Sequence, residues 1–183
     1  MRKNFGKQDW LYPQPVLIIG TYDENGKPNA MNAAWGGTYN DHQVFIRLSP
    51  HKTTENILKN KAFTLTFADA KHVVEADYVG IVSGSDTPDK MEKAGFHAVK
   101  SEFVNAPIFE EFPLHLECKL YQVLDDGGII GEIVNVSADE SILVEGRPDT
   151  SKFDAIIFDP VRAEYRVLGK KVGDAFRDGA KLN

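Results

Sequence analysis

The sequence predicts a mainly antiparallel β fold, a barrel or sandwich, with short helices set between its strands. Apolar segments of strand length recur with turn signals between them, the rhythm of such folds. Two of the turns, Tyr22 to Lys27 with its Asn25-Gly26 pair and Asp125 to Gly128, have hairpin chemistry. No strand leads into G-x-G-x-x-G or G-x-x-x-x-G-K-[ST], so a parallel nucleotide-binding fold of the Rossmann or Walker type has no support.

Taken in order, Val16 to Ile19 is a short apolar run that ends at the Asn-Gly turn, and a returning strand is expected from Pro28 to Tyr39. That segment is rich in small residues, which leave room for something to lie against it. Val44 to Leu48 alternates and stops at Ser49-Pro50, as a third strand does. Thr53 to Asn60 changes to helical spacing after a Ser/Thr-type start, and Ala62 to Phe67 returns to a strand. His72 to Val79 reads as a second helix. Thr87 to Gly95 reads as a third, with Thr87 as N-cap, Pro88 in the first position and Gly95 as terminator. Leu114 to Leu124 and Ile129 to Ser137 are strands flanking the second hairpin turn.

At 183 residues, 42% hydrophobic and 26% charged, the chain has the makeup of one globular domain spanning 1–183. Its net charge of -6, with scattered Lys and Arg, argues against a nucleic-acid partner. No apolar run is long enough for a signal region or membrane span, so a cytoplasmic protein is expected. Cys118 is the single cysteine and sits in a strand, where packing is its expected role. His42, His51, His72, His97 and His115 lack the spacing of a metal site. No G-x-S-x-G or local Cys/His pair suggests nucleophilic catalysis, and Glu110-Glu111 and Asp125-Asp126 read as solvated loop charges.

Three stretches suit a ligand. Arg47 to Asn56 places Ser49, Lys52, Thr53 and Thr54 where a strand gives way to a helix, and free N–H groups with a positive dipole end attract phosphate there. The plainer alternative is that Thr53 or a neighbour caps the helix. Ser83 to Lys90 repeats the pattern, with Lys90 in a first helical turn, although Asp86 and Asp89 could pair with it. Asn29 to Thr38 sets Ala30, Asn32, Ala34 and Gly36 on one face and Met31, Ala33, Trp35 and Gly37 on the other. A flat aromatic ligand or a tight strand crossing would each suit that bare face.

In this order, Pro15-Val16, Asp23 to Lys27, Asn29 to Trp35, Thr53-Thr54, Ser83-Gly84 with Asp89-Lys90, and Ala106-Pro107 resemble the flavin reductase-like, flavoredoxin-type family. Leu116 to Lys119, Ile130 to Glu132, Tyr165 to Gly169 and Val172-Gly173 extend the likeness along the chain. The resemblance implies an FMN-binding split β-barrel of Greek-key antiparallel type, assembled as a homodimer. It implies phosphate near Lys52, Thr53 and Thr54, with the ring or ribityl chain along Asn32, Ala33, Ala34 and Trp35. Ser83, Gly84 and Lys90 would close the site, with Arg47 and Ser49 as further members. It also implies a flavin reductase-like oxidoreductase using NAD(P)H as co-substrate. The alternatives are a flavoredoxin-type electron carrier serving a small-molecule or redox-protein partner, and a non-catalytic flavin-binding protein.

Overall fold

A seven-stranded antiparallel sheet curls into a half-barrel and organises the molecule, which a computed structural model describes over residues 1–182. In chain order the strands are β1 (Gln14–Pro15), β2 (Leu17–Tyr22), β3 (Pro28–Ala33), β4 (Gly36–Asn40) and β5 (Gln43–Arg47). Helix α1 (Lys52–Asn60) precedes β6 (Ala62–Phe67), and α2 (Val73–Ile81) and α3 (Lys90–Ala94) follow it. Then come β7 (Ala98–Lys100), β8 (Pro107–Phe109), β9 (Leu114–Val123) and β10 (Gly128–Ala138). The chain closes with β11 (Leu143–Val144), β12 (Arg147–Pro148), β13 (Ile156–Asp159) and β14 (Glu164–Val167). The large sheet runs β3-β2-β6-β9-β10-β5-β4, so β3 and β4 are its two edges.

Local chemistry explains the hairpins. The Asp23 carboxylate accepts from the N–H groups of Asn25 and Lys27 at 2.8 and 2.9 Å, and Gly26 takes φ 75°, which closes the β2–β3 turn. Asp126 accepts from Gly128 N–H at 3.0 Å, and Gly127 supplies the positive φ of the β9–β10 turn. The returning segment is two strands and not one. It breaks at Ala34-Trp35, because β3 pairs with β2 while β4 pairs with β5 across the sheet.

Packing uses both faces of β2. Leu17 and Ile19 enter the barrel interior with Met31, Ala33, Ile46, Phe63, Cys118 and Ile57 of α1. Val16 and Ile18 face an outer layer with Ala76 and Val79 of α2, Met91 of α3 and Phe109. A strand buried on both faces reads as a continuous apolar run, which is what Val16 to Ile19 shows. Cys118 is a core residue, and burial pushes its thiol pKa up to about 12.

Three expectations need correction. Thr53 is not the cap of α1: His51 occupies that position and makes no side-chain capping bond. The third helix begins at Lys90 and not after Thr87, whose carbonyl instead accepts a turn bond from Lys90 N–H. Glu111 is no solvated loop charge, because it accepts from both the N–H and the ring of His97. Among the described residues no helix is long and apolar enough to cross a membrane.

Candidate functional site

A narrow cleft of about 120 Å³ opens at the edge strand β3, between the start of α1 and the end of α2. Strand β3 contributes Asn29 and Met31, α1 contributes Lys52 and Thr53, and Gly80 comes from α2. Ser83 and Gly84 of the following loop and Lys90 of α3 complete the wall. Residues from three separate stretches of sequence, each singled out for its chemistry, therefore meet in one place.

Lys90 is the most deeply set charge there. It is 3% exposed, and its ammonium donates to Val79 O at 2.9 Å. That carbonyl belongs to the last turn of α2, where a cation is favoured by the helix dipole. An ammonium has three donors, and the other two have no partner among the described residues. Burial lowers its pKa to about 8, so it remains protonated at neutral pH. No carboxylate pairs with it among the described residues; Asp89 bonds Lys93 at 3.0 Å instead.

The helix start adds donors. The first intrahelical bond runs from Glu55 N–H to His51 O, leaving the N–H groups of Lys52, Thr53 and Thr54 without backbone partners among the described residues. Buried Thr53 accepts from Asn29 Nδ2 at 2.8 Å, which locks α1 to β3, and Thr54 Oγ1 donates to Ser49 O at 2.8 Å. Lys52 makes no ion pair among the described residues. A Cβ on Gly84 would sit 2.5 Å from Asn29 Oδ1, so only glycine lets the loop close on β3.

The outer edge of β3 makes no ladder bonds, although α2 packs beside it. Its ladder partner is β2 alone, and no other backbone bond engages residues 28–33 among the described residues. A strand edge of unpaired N–H and C=O groups suits the polar rim of a flat heterocycle. Asn32 is fixed behind it: its Nδ2 donates to Ala76 O at 3.0 Å and to Tyr165 Oη at 3.4 Å, while Tyr165 donates to Asp77 at 2.7 Å.

The remaining predicted residues lie elsewhere. Ala33 and Ala34 are buried in the strand and its exit. Trp35 and Arg47 line a different cavity, of about 1000 Å³, under the N-terminal arm. Ser49 and Thr54 sit at the exposed shoulder of α1, where Ser49 serves through its carbonyl. Sequence reasoning overlooked Asn29, Gly80, Asp77 and Tyr165 as parts of the site. The small-residue character of the Asn29 stretch signalled the first, whereas the others depend on how α2 and the C-terminal hairpin pack.

FMN is a fair test of these groups. Two lysines and three free N–H groups match a dianionic phosphate. The cleft is smaller than the ~300 Å³ of a site that encloses a whole small ligand, so it fits an anionic end with the flat part outside, along β3. The residues present therefore fit the group.

A sequence profile described as "Flavin reductase like domain" matches residues 10–149. The chain belongs to the flavin reductase like family. Within solved structures, it is similar to the flavoredoxin of Desulfovibrio vulgaris (Miyazaki F), with 38% identity, a TM-score of 0.94, and coverage of 98% of this chain and 100% of that one. Flavoredoxin from Methanosarcina acetivorans is similar at 26% identity and a TM-score of 0.89, over 100% of both chains. An uncharacterized protein of Aeropyrum pernix is 27% identical over 120 residues, which are 64% of this chain and 45% of that protein. The chain thus spans less than half the length of that relative. Likeness to the flavoredoxins continues past residue 149 into the hairpin that carries Tyr165.

Proposed function

We propose that this member of the flavin reductase like family binds FMN and serves as an oxidoreductase that takes electrons from NADH or NADPH. One observation carries the flavin half: a buried lysine without a carboxylate partner and a second unpaired lysine share a cleft with an uncapped helix start. Lys52, Lys90 and the N–H groups of residues 52–54 would hold the phosphate, and the unpaired edge of β3 would read the rim of the ring. Thr53 and Asn29 keep α1 and β3 in register for this. Bound FMN would supply hydride and single-electron chemistry, with the chain providing orientation and charge.

A second reading is favoured by the 38% identity with a flavoredoxin: an electron carrier that exchanges electrons with a redox protein or small molecule. The absorption spectrum of the purified protein, followed by anaerobic titration with NADH and NADPH, separates the readings. Rapid bleaching by a nicotinamide supports the reductase. Bleaching only by dithionite or a reduced partner protein supports the carrier. A colourless protein that rejects added FMN contradicts both.

A homodimer is part of the proposal. Tyr39 on β4, Tyr121 on β9 and Val134 and Val136 on β10 are exposed apolar side chains on the large sheet, and a second copy would cover them.

A further inference from the structure

The loop between β7 and β8 is fixed by many bonds and yet leaves its aromatic ring in water. Ser101 N–H donates to Ala106 O at 3.1 Å, and Ala106 N–H donates to Val104 O at 2.9 Å. Ser101 Oγ accepts from the N–H groups of Phe103 and Val104, both at 3.0 Å, and donates to the buried Glu117 carboxylate. Val104 and Ala106 pack on Ala62 of β6 as a small separate core. Phe103, the largest apolar side chain of the loop, is nevertheless 54% exposed. A rigid backbone that holds an aromatic ring out to solvent is how the anchor of a protein interface is built.

Charge surrounds the ring. Phe103 shares a hollow of about 580 Å³ with Lys61, Lys100 and Lys119. The three lysines come from separate elements: the residue after α1, the end of β7 and the middle of β9. All three are exposed, and none makes an ion pair among the described residues. One acid, Glu102, also lines the hollow. Glu117 lies beneath the loop with its oxygens bonded to Ser101 and Asn135, and Glu132 stands across from Lys119 on β10. In a chain of net charge -6, an unpaired lysine trio is a local reversal of sign. A positive rim steers an acidic partner in, and an aromatic anchor holds it there.

We propose that this hollow docks a partner protein through a glutamate- or aspartate-rich segment that carries one apolar side chain. The apolar side chain packs on Phe103 while the carboxylates pair with Lys61, Lys100 and Lys119. A ring more than half exposed offers a face to pack against and no enclosing wall, which suits a protein surface better than a small ligand. Lys52 begins α1 and Lys61 follows its end, and nine helical residues span ~14 Å. The partner therefore docks one helix length from the phosphate cleft and outside it. For an electron carrier this is where a redox protein would be received; that role rests on the flavin reading, and the binding does not.

The test is calorimetric titration of the purified protein at low ionic strength, with FMN affinity and sedimentation measured alongside. The probes are a short glutamate-rich peptide with one central phenylalanine, the same peptide with serine at that place, its glutamine counterpart, and tripolyphosphate. The first binds about tenfold more tightly than each of the others and weakens as salt is added. A Lys61→Gln, Lys100→Gln, Lys119→Gln triple variant loses about tenfold in affinity. A Lys7→Gln, Lys71→Gln, Lys152→Gln variant, with the same change of net charge at exposed lysines outside the hollow, keeps it. Phe103→Ser brings the phenylalanine peptide down to the level of the serine peptide. The replaced side chains are all exposed, so the fold tolerates their loss. Absence of binding, equal affinity for the phenylalanine and serine peptides, tripolyphosphate bound as tightly, or equal loss in both lysine variants overturns the proposal. So does a change of oligomeric state in the hollow variants, which would make the hollow an interface between copies of this chain. Loss of FMN affinity in them would make it part of the cofactor site and also overturns the proposal. Binding of the peptide by a protein that rejects FMN would contradict the flavin reading and leave this one standing.

Discussion

Lys90 shows how a side chain can be costly for the fold and useful to the site. Its pKa is about 8 in the folded chain against an ordinary 10.5, because burial disfavours the charge. Below pH 8 both folded and unfolded chains hold the proton, and the burial cost is paid in full. Between pH 8 and 10.5 the unfolded chain binds a proton that the folded one has released, so this group makes stability rise with pH. The ligand-free protein should therefore gain stability from pH 8 to 10 relative to Lys90→Met, a difference that thermal melting across pH measures directly. FMN affinity runs the other way: it is highest while the ammonium is charged and falls as pH rises above about 8 in fluorescence titrations. Gly84→Ala forces a Cβ to within 2.5 Å of Asn29 Oδ1 and disturbs its bond to Thr53. It should lower FMN affinity by about tenfold, equivalent to ~1.4 kcal/mol, in the same titration. Lys52 and Lys90 were legible in the sequence because a lysine at a helix start is electrostatically out of place. Burial of Lys90 was not legible. Asp89 is its chain neighbour, yet the pairing of Asp89 with Lys93 and the approach of Val79 O are set by how α2 and α3 pack.

Among the elements, the strands joined by tight turns were readable and the places where strands change partners were not. Asp23, Asn25 and Gly26 carry their turn in local chemistry, whereas the break at Ala34-Trp35 arises because β4 must cross to β5. Thr53 faced two uses, cap or ligand wall; it is not the cap, and it joins the wall while its hydroxyl bonds Asn29 across to β3. An element-level lock lies away from the cleft. Buried Glu117 of β9 accepts from Ser101 Oγ and from Asn135 Nδ2 of β10, the latter at 2.6 Å. Ser101 Oγ in turn accepts from the N–H groups of Phe103 and Val104, both at 3.0 Å, so one carboxylate ties a loop to two strands. Glu117→Ala leaves those donors unsatisfied and should cost about 3 kcal/mol in urea unfolding, the scale of a broken buried polar network. FMN affinity of the folded variant should change little, since the network lies outside the cleft.

For the molecule as a whole, the half-barrel supplies two edges, and the site occupies one of them. The mainly antiparallel architecture was legible because strand periodicity and turn residues agree along the chain. The seam between β3 and β4 was not, because strand order is a property of long-range pairing. The exposed apolar side chains of β4, β9 and β10 predict a dimer by analytical ultracentrifugation, and Val136→Asp should shift it to monomer by burying a charge in the interface. The central claim is that the cleft between α1, α2 and β3 holds the phosphate of FMN. Parallel titration of the ligand-free protein with FMN and riboflavin, which differ by that phosphate, tests it most directly. FMN should bind at least a hundredfold more tightly than riboflavin, and a Lys52→Ala, Lys90→Met double variant should erase the preference. Equal affinity for the two flavins, or a preference that survives the double variant, would contradict it.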